Sequence, residues 1–130
     1  MRNSPLVLIV DDDAGFQEII GTKLKRSGFL VAEAHDGKEA IDKAALLSPN
    51  LILMDVNMPH ENGTEAVMDI LKNQDNNKNL KIIFLSSMNS PWPGLKEEDA
   101  VKVAKNLGAS GYINKSEDLD KLIEKIKSFL

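Results

Sequence analysis

The chain has 130 residues, 42% of them hydrophobic, with 16 Lys and Arg against 20 Asp and Glu, a formal net charge of -4 and no cysteine. That length allows one domain with a substantial core, expected to span residues 1–130, and the mild acidity argues against direct nucleic-acid contact or membrane insertion. Without cysteine there is no disulfide framework, thiol catalysis or cysteine-ligated metal, and no apolar run nears the roughly 18 residues of a membrane span, so a cytoplasmic location is expected.

Residues 6–10 (Leu-Val-Leu-Ile-Val) form a continuous apolar run of strand length, ended abruptly by Asp11, Asp12 and Asp13. Over residues 14–27, Phe16, Ile19, Ile20 and Leu24 recur at helical spacing, and Gly28 is placed as the stop. A short second strand is expected over residues 29–33; Asp36 then precedes a helix with Ala40, Ile41, Ala44 and Leu47 on one face, which Pro49 prevents from continuing. Leu51, Ile52, Leu53 and Met54 read as a strand buried on both faces, closed by Asp55 and left through Met58-Pro59. Asn62-Gly63 is a turn, and Thr64 caps a third helix carrying Ala66, Val67, Ile70 and Leu71 inward, with a polar loop over residues 73–79. The apolar run 82–85 is a fourth strand ending in Ser86-Ser87, and residues 88–95, with Pro91, Pro93 and Gly94, are a loop. A fourth helix runs to about Leu107 with Ala100, Val103, Ala104 and Leu107 inward. Residues 108–111 lead into the strand Tyr112-Ile113-Asn114, followed by Lys115. Leu119, Leu122, Ile123, Ile126, Phe129 and Leu130 form the apolar stripe of a fifth helix.

Five strand–helix units imply an α/β fold: a five-stranded parallel sheet, right-handed crossovers and helices on both faces. Such sheets hold ligands beyond the carboxyl ends of their strands. The polar residues there are Asp11 and Asp12 from the first strand, Asp55 from the third and Ser86 from the fourth, with Lys115 from the fifth as the cation among them. Crowded carboxylates repel and raise one another's pKa unless neutralised. A hard divalent cation answers that need, and Mg²⁺, held by one or two carboxylates together with phosphate oxygens, suits the inventory.

Asp11-Asp12 after an apolar strand, Asp55 within Leu-Met-Asp-Val-Asn-Met-Pro, Ser86 after Phe-Leu, and Lys115 ending Gly-Ala-Ser-Gly-Tyr-Ile-Asn-Lys together resemble the receiver domain of two-component response regulators. The resemblance covers essentially the whole chain, and it, not the residues alone, supplies the flavodoxin-like (βα)5 strand order 2-1-3-4-5. It implies that Asp55 takes a phosphoryl group from the phosphohistidine of a histidine kinase or histidine phosphotransfer protein in a Mg²⁺- or Mn²⁺-dependent reaction. Asp12, Asp55 and the main-chain carbonyl of Asn57 would ligate the metal, with Asp11 acting through a water and Lys115 neutralising the transferred oxygens. Such a chain catalyses its own phosphorylation and slow dephosphorylation and is not a conventional turnover enzyme. Ser86 would be the sensor and Tyr112 a second switch, alternatively a core aromatic with a wet hydroxyl. The output surface would comprise the fourth helix, fifth strand and fifth helix.

Asp13 reads as an acid favoured by a helix dipole, His35 and His60 as solvated loop residues, and Met68 as core packing. Two positions depart from the family. Ser116 follows Lys115 where the family usually has proline, so a trans bond is expected there, since a non-proline cis bond costs about 2.5 to 4 kcal/mol. The loop holding Trp92 is longer than usual; Trp92 either covers the core's edge or offers a partner a contact. A phosphorylation-independent pseudo-receiver docking module is the alternative function. A hydrolase using an aspartyl phosphate is disfavoured by Asn57, which stands where those enzymes carry a second acid.

Overall fold

The computed structural model describes residues 4–55, 69–70, 80–86, 97–106, 108–115 and 117–130. In chain order, the described elements are β1 (Leu6–Val10), α1 (Ala14–Arg26), β2 (Leu30–Ala34), α2 (Gly37–Leu47), β3 (Leu51–Asp55), β4 (Lys81–Ser86), α3 (Glu97–Asn106), β5 (Gly111–Asn114) and α4 (Leu119–Phe129). Thus α3 and α4 are the helices expected fourth and fifth. Of the expected third helix, Asp69 and Ile70 are described and helical; Thr64, Ala66, Val67 and Leu71 lie outside the described residues, as do Asn62-Gly63, His60 and Met68.

All five strands are parallel in the order β2-β1-β3-β4-β5. β1, β3 and β5 are buried along their whole length, which is why β1 and the first four residues of β3 are continuous apolar runs without alternation. Alternate residues serve the two faces. Val7, Ile9, Leu51, Leu53, Ile83, Leu85 and Ile113 pack with Ile20 and Leu24 of α1 and with Leu122, Ile123 and Ile126 of α4. Leu8, Val10, Ile52, Met54, Ile82, Phe84 and Tyr112 face the other way, with Ala40 and Ile70. Each fully buried Leu or Ile contributes about 1.5–3 kcal/mol of burial, so both layers are needed to hold the central strands. At the amino-terminal edge, Asn50 Oδ1 accepts from the Leu6 N–H at 2.8 Å, joining the entry to β3 to the start of β1. Among the described residues no helix is long and apolar enough to cross a membrane.

Acids begin three helices. Asp13 Oδ1 accepts from Phe16 N at 3.1 Å, Asp36 Oδ1 from Glu39 N at 2.7 Å, and Asp118 Oδ1 from Asp120 N at 2.8 Å, each satisfying an amide the helix leaves open. The first two match the sequence reading; Asp118 adds a third cap. Gly28 ends the α1 turn at φ 96°, a left-handed conformation that glycine adopts without side-chain cost.

Three expectations need correction. β2 starts one residue later than expected, at Leu30, and includes Ala34, whose carbonyl accepts from Asp11 N at 3.1 Å. Ile19 is 55% exposed while Gln17 is 1% exposed: the inward stripe of α1 is Gln17, Ile20, Gly21 and Leu24, spaced i, i+3, i+4 and i+7, which rotates Ile19 out. Leu130 lies past the last turn of α4 and is 44% exposed.

The first strand residue of β5 has no room for a side chain. A Cβ on Gly111 would lie 2.5 Å from Phe129 Cζ and 3.0 Å from Cε1. Gly111→Ala is expected to lower stability by about 1–3 kcal/mol, read as a lower urea midpoint, and most of that loss should vanish in a Phe129→Leu background.

Candidate functional site

The order of the sheet turns over between β1 and β3, since the chain proceeds from β1 outward to β2 and returns on the opposite side. At such a point the loops beyond two neighbouring strands diverge and leave a crevice. Asp11 follows β1 and Asp55 ends β3, so both acids stand at its mouth. Each of Asp11, Asp12 and Asp55 places a carboxylate oxygen within 4.8 Å of the others'. Asp11 is fully buried, Asp55 is 4% exposed, and Asp12 faces solvent.

Lys115 brings the counter-charge. β5 pairs with β4 in the register Ser86↔Asn114, and the ladder continues one step as Lys115 N–H donates to the Ser86 carbonyl at 2.8 Å. The side chain then crosses the strand ends to form an ion pair with Asp11 Oδ2 and to lie 3.3 Å from Asp55 Oδ2. Its ammonium also stands 4.7 Å from the centroid of the Phe16 ring, a cation–π distance.

Gln17 of α1 and Asp13, which caps that helix, complete the support. Gln17 Nε2 donates to the carbonyls of Ala34 at 2.7 Å, Asp11 at 2.9 Å and, more weakly, Ile9 at 3.3 Å. It thus binds together the carboxyl ends of β1 and β2 beneath Asp11. Asp11 Oδ1 in turn accepts from Asp13 N at 2.9 Å. Sequence reasoning missed Gln17 altogether and counted Phe16 only as an apolar helix position. A glutamine on the sheet-facing stripe was the available signal, because an amide there needs partners.

Burial pushes the Asp11 carboxyl up to about 6, with the Asp55 charge adding to it, against the lowering effects of the Lys115 hydrogen bond, the Asp13 amide and the Lys115 charge. For Lys115, burial acts downward but is outweighed by the hydrogen bond to Asp11 and the charges of Asp11 and Asp55, so its pKa is raised above 10.5. At neutral pH the pair is therefore ionised.

Ser86 is fully buried at the end of β4. Tyr112 is 7% exposed and lies opposite Phe84 in the core face lined by Met54 and Ala109. His35 is on the surface, 3.4 Å from Glu39. Asn57, Met88, Trp92 and Ser116 lie outside the described residues. The donor set at the crevice consists of carboxylate oxygens, two of them from buried residues, which fits a hard oxygen-seeking divalent ion and suits a soft metal poorly.

The family model for the response regulator receiver domain matches residues 7–127. The chain belongs to that family. This receiver is 37% identical to the chemotaxis protein CheY of Treponema pallidum over 95% of the chain and 81% of that protein. It is 33% identical to the transcriptional regulatory protein DegU of Brevibacillus brevis over 97% of the chain and 50% of that protein, and so spans half of that relative's length. The solved structure of the chemotaxis response regulator CheY4 of Vibrio cholerae superposes with a TM-score of 0.83 at 28% identity, covering 98% of this receiver and 100% of that chain. Receiver domains of two-component systems work with histidine kinases and output targets, and generally bind Mg²⁺ at an acidic pocket.

The site's cost to stability is testable by titration. The folded receiver holds the Asp11 proton up to about pH 6, whereas an unperturbed aspartate releases it near 3.8. Between these values the folded state binds more protons, so this residue's contribution to stability falls as pH rises and is fully lost above about 6. In metal-free buffer, Asp11→Asn should therefore gain stability relative to the parent as pH rises from 4 to 6, by at most about 3 kcal/mol, read from urea unfolding at each pH. Gln17→Leu should lower stability by about 1–3 kcal/mol and weaken Mg²⁺ binding in calorimetry, because it removes the donor that ties the strand ends together.

Proposed function

We propose that this receiver is a phosphoacceptor in a two-component phosphorelay, with Asp55 as the nucleophile. The observation that carries the reading is the buried Asp55 carboxylate beside Asp11 and Asp12, with Lys115 Nζ 3.3 Å from its Oδ2. An Asp55 oxygen attacks the phosphorus of a phosphohistidine on a histidine kinase or histidine phosphotransfer protein. The P–N bond breaks, its electron pair stays on the imidazole, and Asp55 becomes an acyl phosphate. The reaction needs little covalent work beyond in-line placement and neutralisation of the equatorial oxygens.

Asp12, Asp55 and the main-chain carbonyl of Asn57 would hold Mg²⁺ or Mn²⁺, with Asp11 reaching it through water; when bound, the ion supplies positive charge to the transferring oxygens. Lys115 supplies a further positive charge from the protein itself. Being fully protonated at neutral pH, with a raised pKa, it keeps that charge throughout the transfer. Ser86 then hydrogen-bonds the new phosphoryl oxygen, Tyr112 follows, and the surface of α3, β5 and α4 changes its preference for a downstream target, with the Trp92 loop as a further contact. Such a switch is a population shift, as large as the difference in the phosphoryl group's interactions with the two states. Self-catalysed phosphorylation and slow hydrolysis, in one cytoplasmic domain spanning residues 1–130, complete the reading.

Incubation with acetyl phosphate and Mg²⁺ should add one phosphoryl group, mapped to Asp55 by mass spectrometry. Asp55→Asn or excess EDTA should abolish the addition, and Lys115→Ala should slow it about a hundredfold. A parent protein that responds neither to acetyl phosphate nor to beryllofluoride would replace this reading with that of a docking module that needs no phosphorylation.

A further inference from the structure

The ammonium of Lys115 has three partners among the described residues: Asp11, Asp55 and the ring of Phe16. They differ in what the proposed chemistry does to them. The two carboxylates are the groups a divalent cation and a phosphoryl group engage, so their hold on Lys115 changes as the site is loaded. The aromatic face has no ionisable group, and its attraction for a cation persists whatever occupies the carboxylates. Lys115 has strong need of such a partner. It follows the last residue of β5, a strand separated from β1 by β3 and β4, and its flexible four-carbon stem loses rotamer freedom when it is fixed over the acids.

Phe16 is itself held in place. Its N–H donates to Asp13 Oδ1 at 3.1 Å in the first turn of α1, and the Asp13 N–H donates to Asp11 Oδ1 at 2.9 Å. The ring packs, partly buried, against the core face shared by α1 and α4. One short hydrogen-bonded run thus links the backbone of the ring-bearing residue to the acid that pairs with the same ammonium, and gives Asp13 a part in the site beyond capping.

We propose that Phe16 is a positioning residue for Lys115, its ring face holding the ammonium over the acid cluster both before and after Asp55 is engaged. The proposal rests on the phosphoacceptor reading for its consequence and on the ring–ammonium geometry for its existence, so two measurements separate the two. In the intact protein, the ε-methylene signals of Lys115, assigned by their loss in Lys115→Met, should be shifted upfield by the ring current. Phe16→Leu should remove that shift while keeping an apolar side chain against the core, and Phe16→Tyr should keep it. With saturating Mg²⁺ and subsaturating acetyl phosphate, Phe16→Leu should lower the second-order rate constant of phosphorylation about 3- to 10-fold, with Mg²⁺ affinity unchanged, and Phe16→Tyr should keep the parent rate. Absence of a ring-current shift in the parent protein overturns the proposal even if Phe16→Leu does not fold. A Phe16→Leu rate equal to the parent's overturns it, as does a slowed rate with an unmoved Lys115 signal, which would mark a packing effect. A parent protein that takes up no phosphate defeats the phosphoacceptor reading instead, and a shift lost in Phe16→Leu and kept in Phe16→Tyr would still sustain the placement of Lys115.

Discussion

Everything at the carboxyl edge of this sheet depends on a negative charge held out of water. Asp11 is fully buried, with Asp55 almost as deep beside it, and an unpaired buried carboxylate would be too costly to keep. The ion pair with Lys115 makes the arrangement possible. It is a demanding solution, since breaking a buried pair by removing one partner leaves the other charge uncompensated. This constraint accounts for features that packing alone does not: the ladder that continues past β5 to place the Lys115 backbone, the glutamine that holds β1 to β2, and the aspartate amide that turns toward Asp11.

The compensation is incomplete, and the shortfall matches the proposed use of the site. Among the described residues one ammonium, paired with Asp11 and Asp55, serves a cluster of three carboxylates, and even with it the Asp11 carboxyl is driven up to about 6. A protein optimised for stability alone would replace such a cluster with apolar side chains of similar size. Here the fold carries the electrostatic penalty, and a divalent cation bound among these oxygens would relieve it. Binding such an ion would then stabilise the folded receiver through linkage.

The same geometry connects the acids to the far edge of the sheet. Lys115 is bonded through its backbone to Ser86 and through its side chain to Asp11, and Tyr112 lies three residues earlier, on β5, opposite Phe84. A displacement of Lys115 therefore acts on β5 through the chain itself. Gly111, packed under Phe129 of α4, couples the other end of that strand to the last helix. β5 is thus the element that joins the acid cluster to the last helix.

The sequence by itself determined the repeating strand–helix units, the burial of the central strands and the polar residues at their ends. Those signals are local: an apolar run broken by Asp11 or Asp55 is legible without knowing its neighbours, and Asp13 and Asp36 sit where helices begin. Strand order came from likeness to the family, because five βα units with right-handed crossovers are compatible with several orders. Only the tertiary structure decided which residues support the site. Helical periodicity treated Ile19 as an inward apolar residue and passed over Gln17, yet the carbonyls of Ile9, Asp11 and Ala34 require a donor on that face, so Gln17 is buried and Ile19 turned to solvent. Nor does any local pattern connect Phe16 with Lys115, which are brought together only because β1, β3, β4 and β5 align their carboxyl ends at one edge.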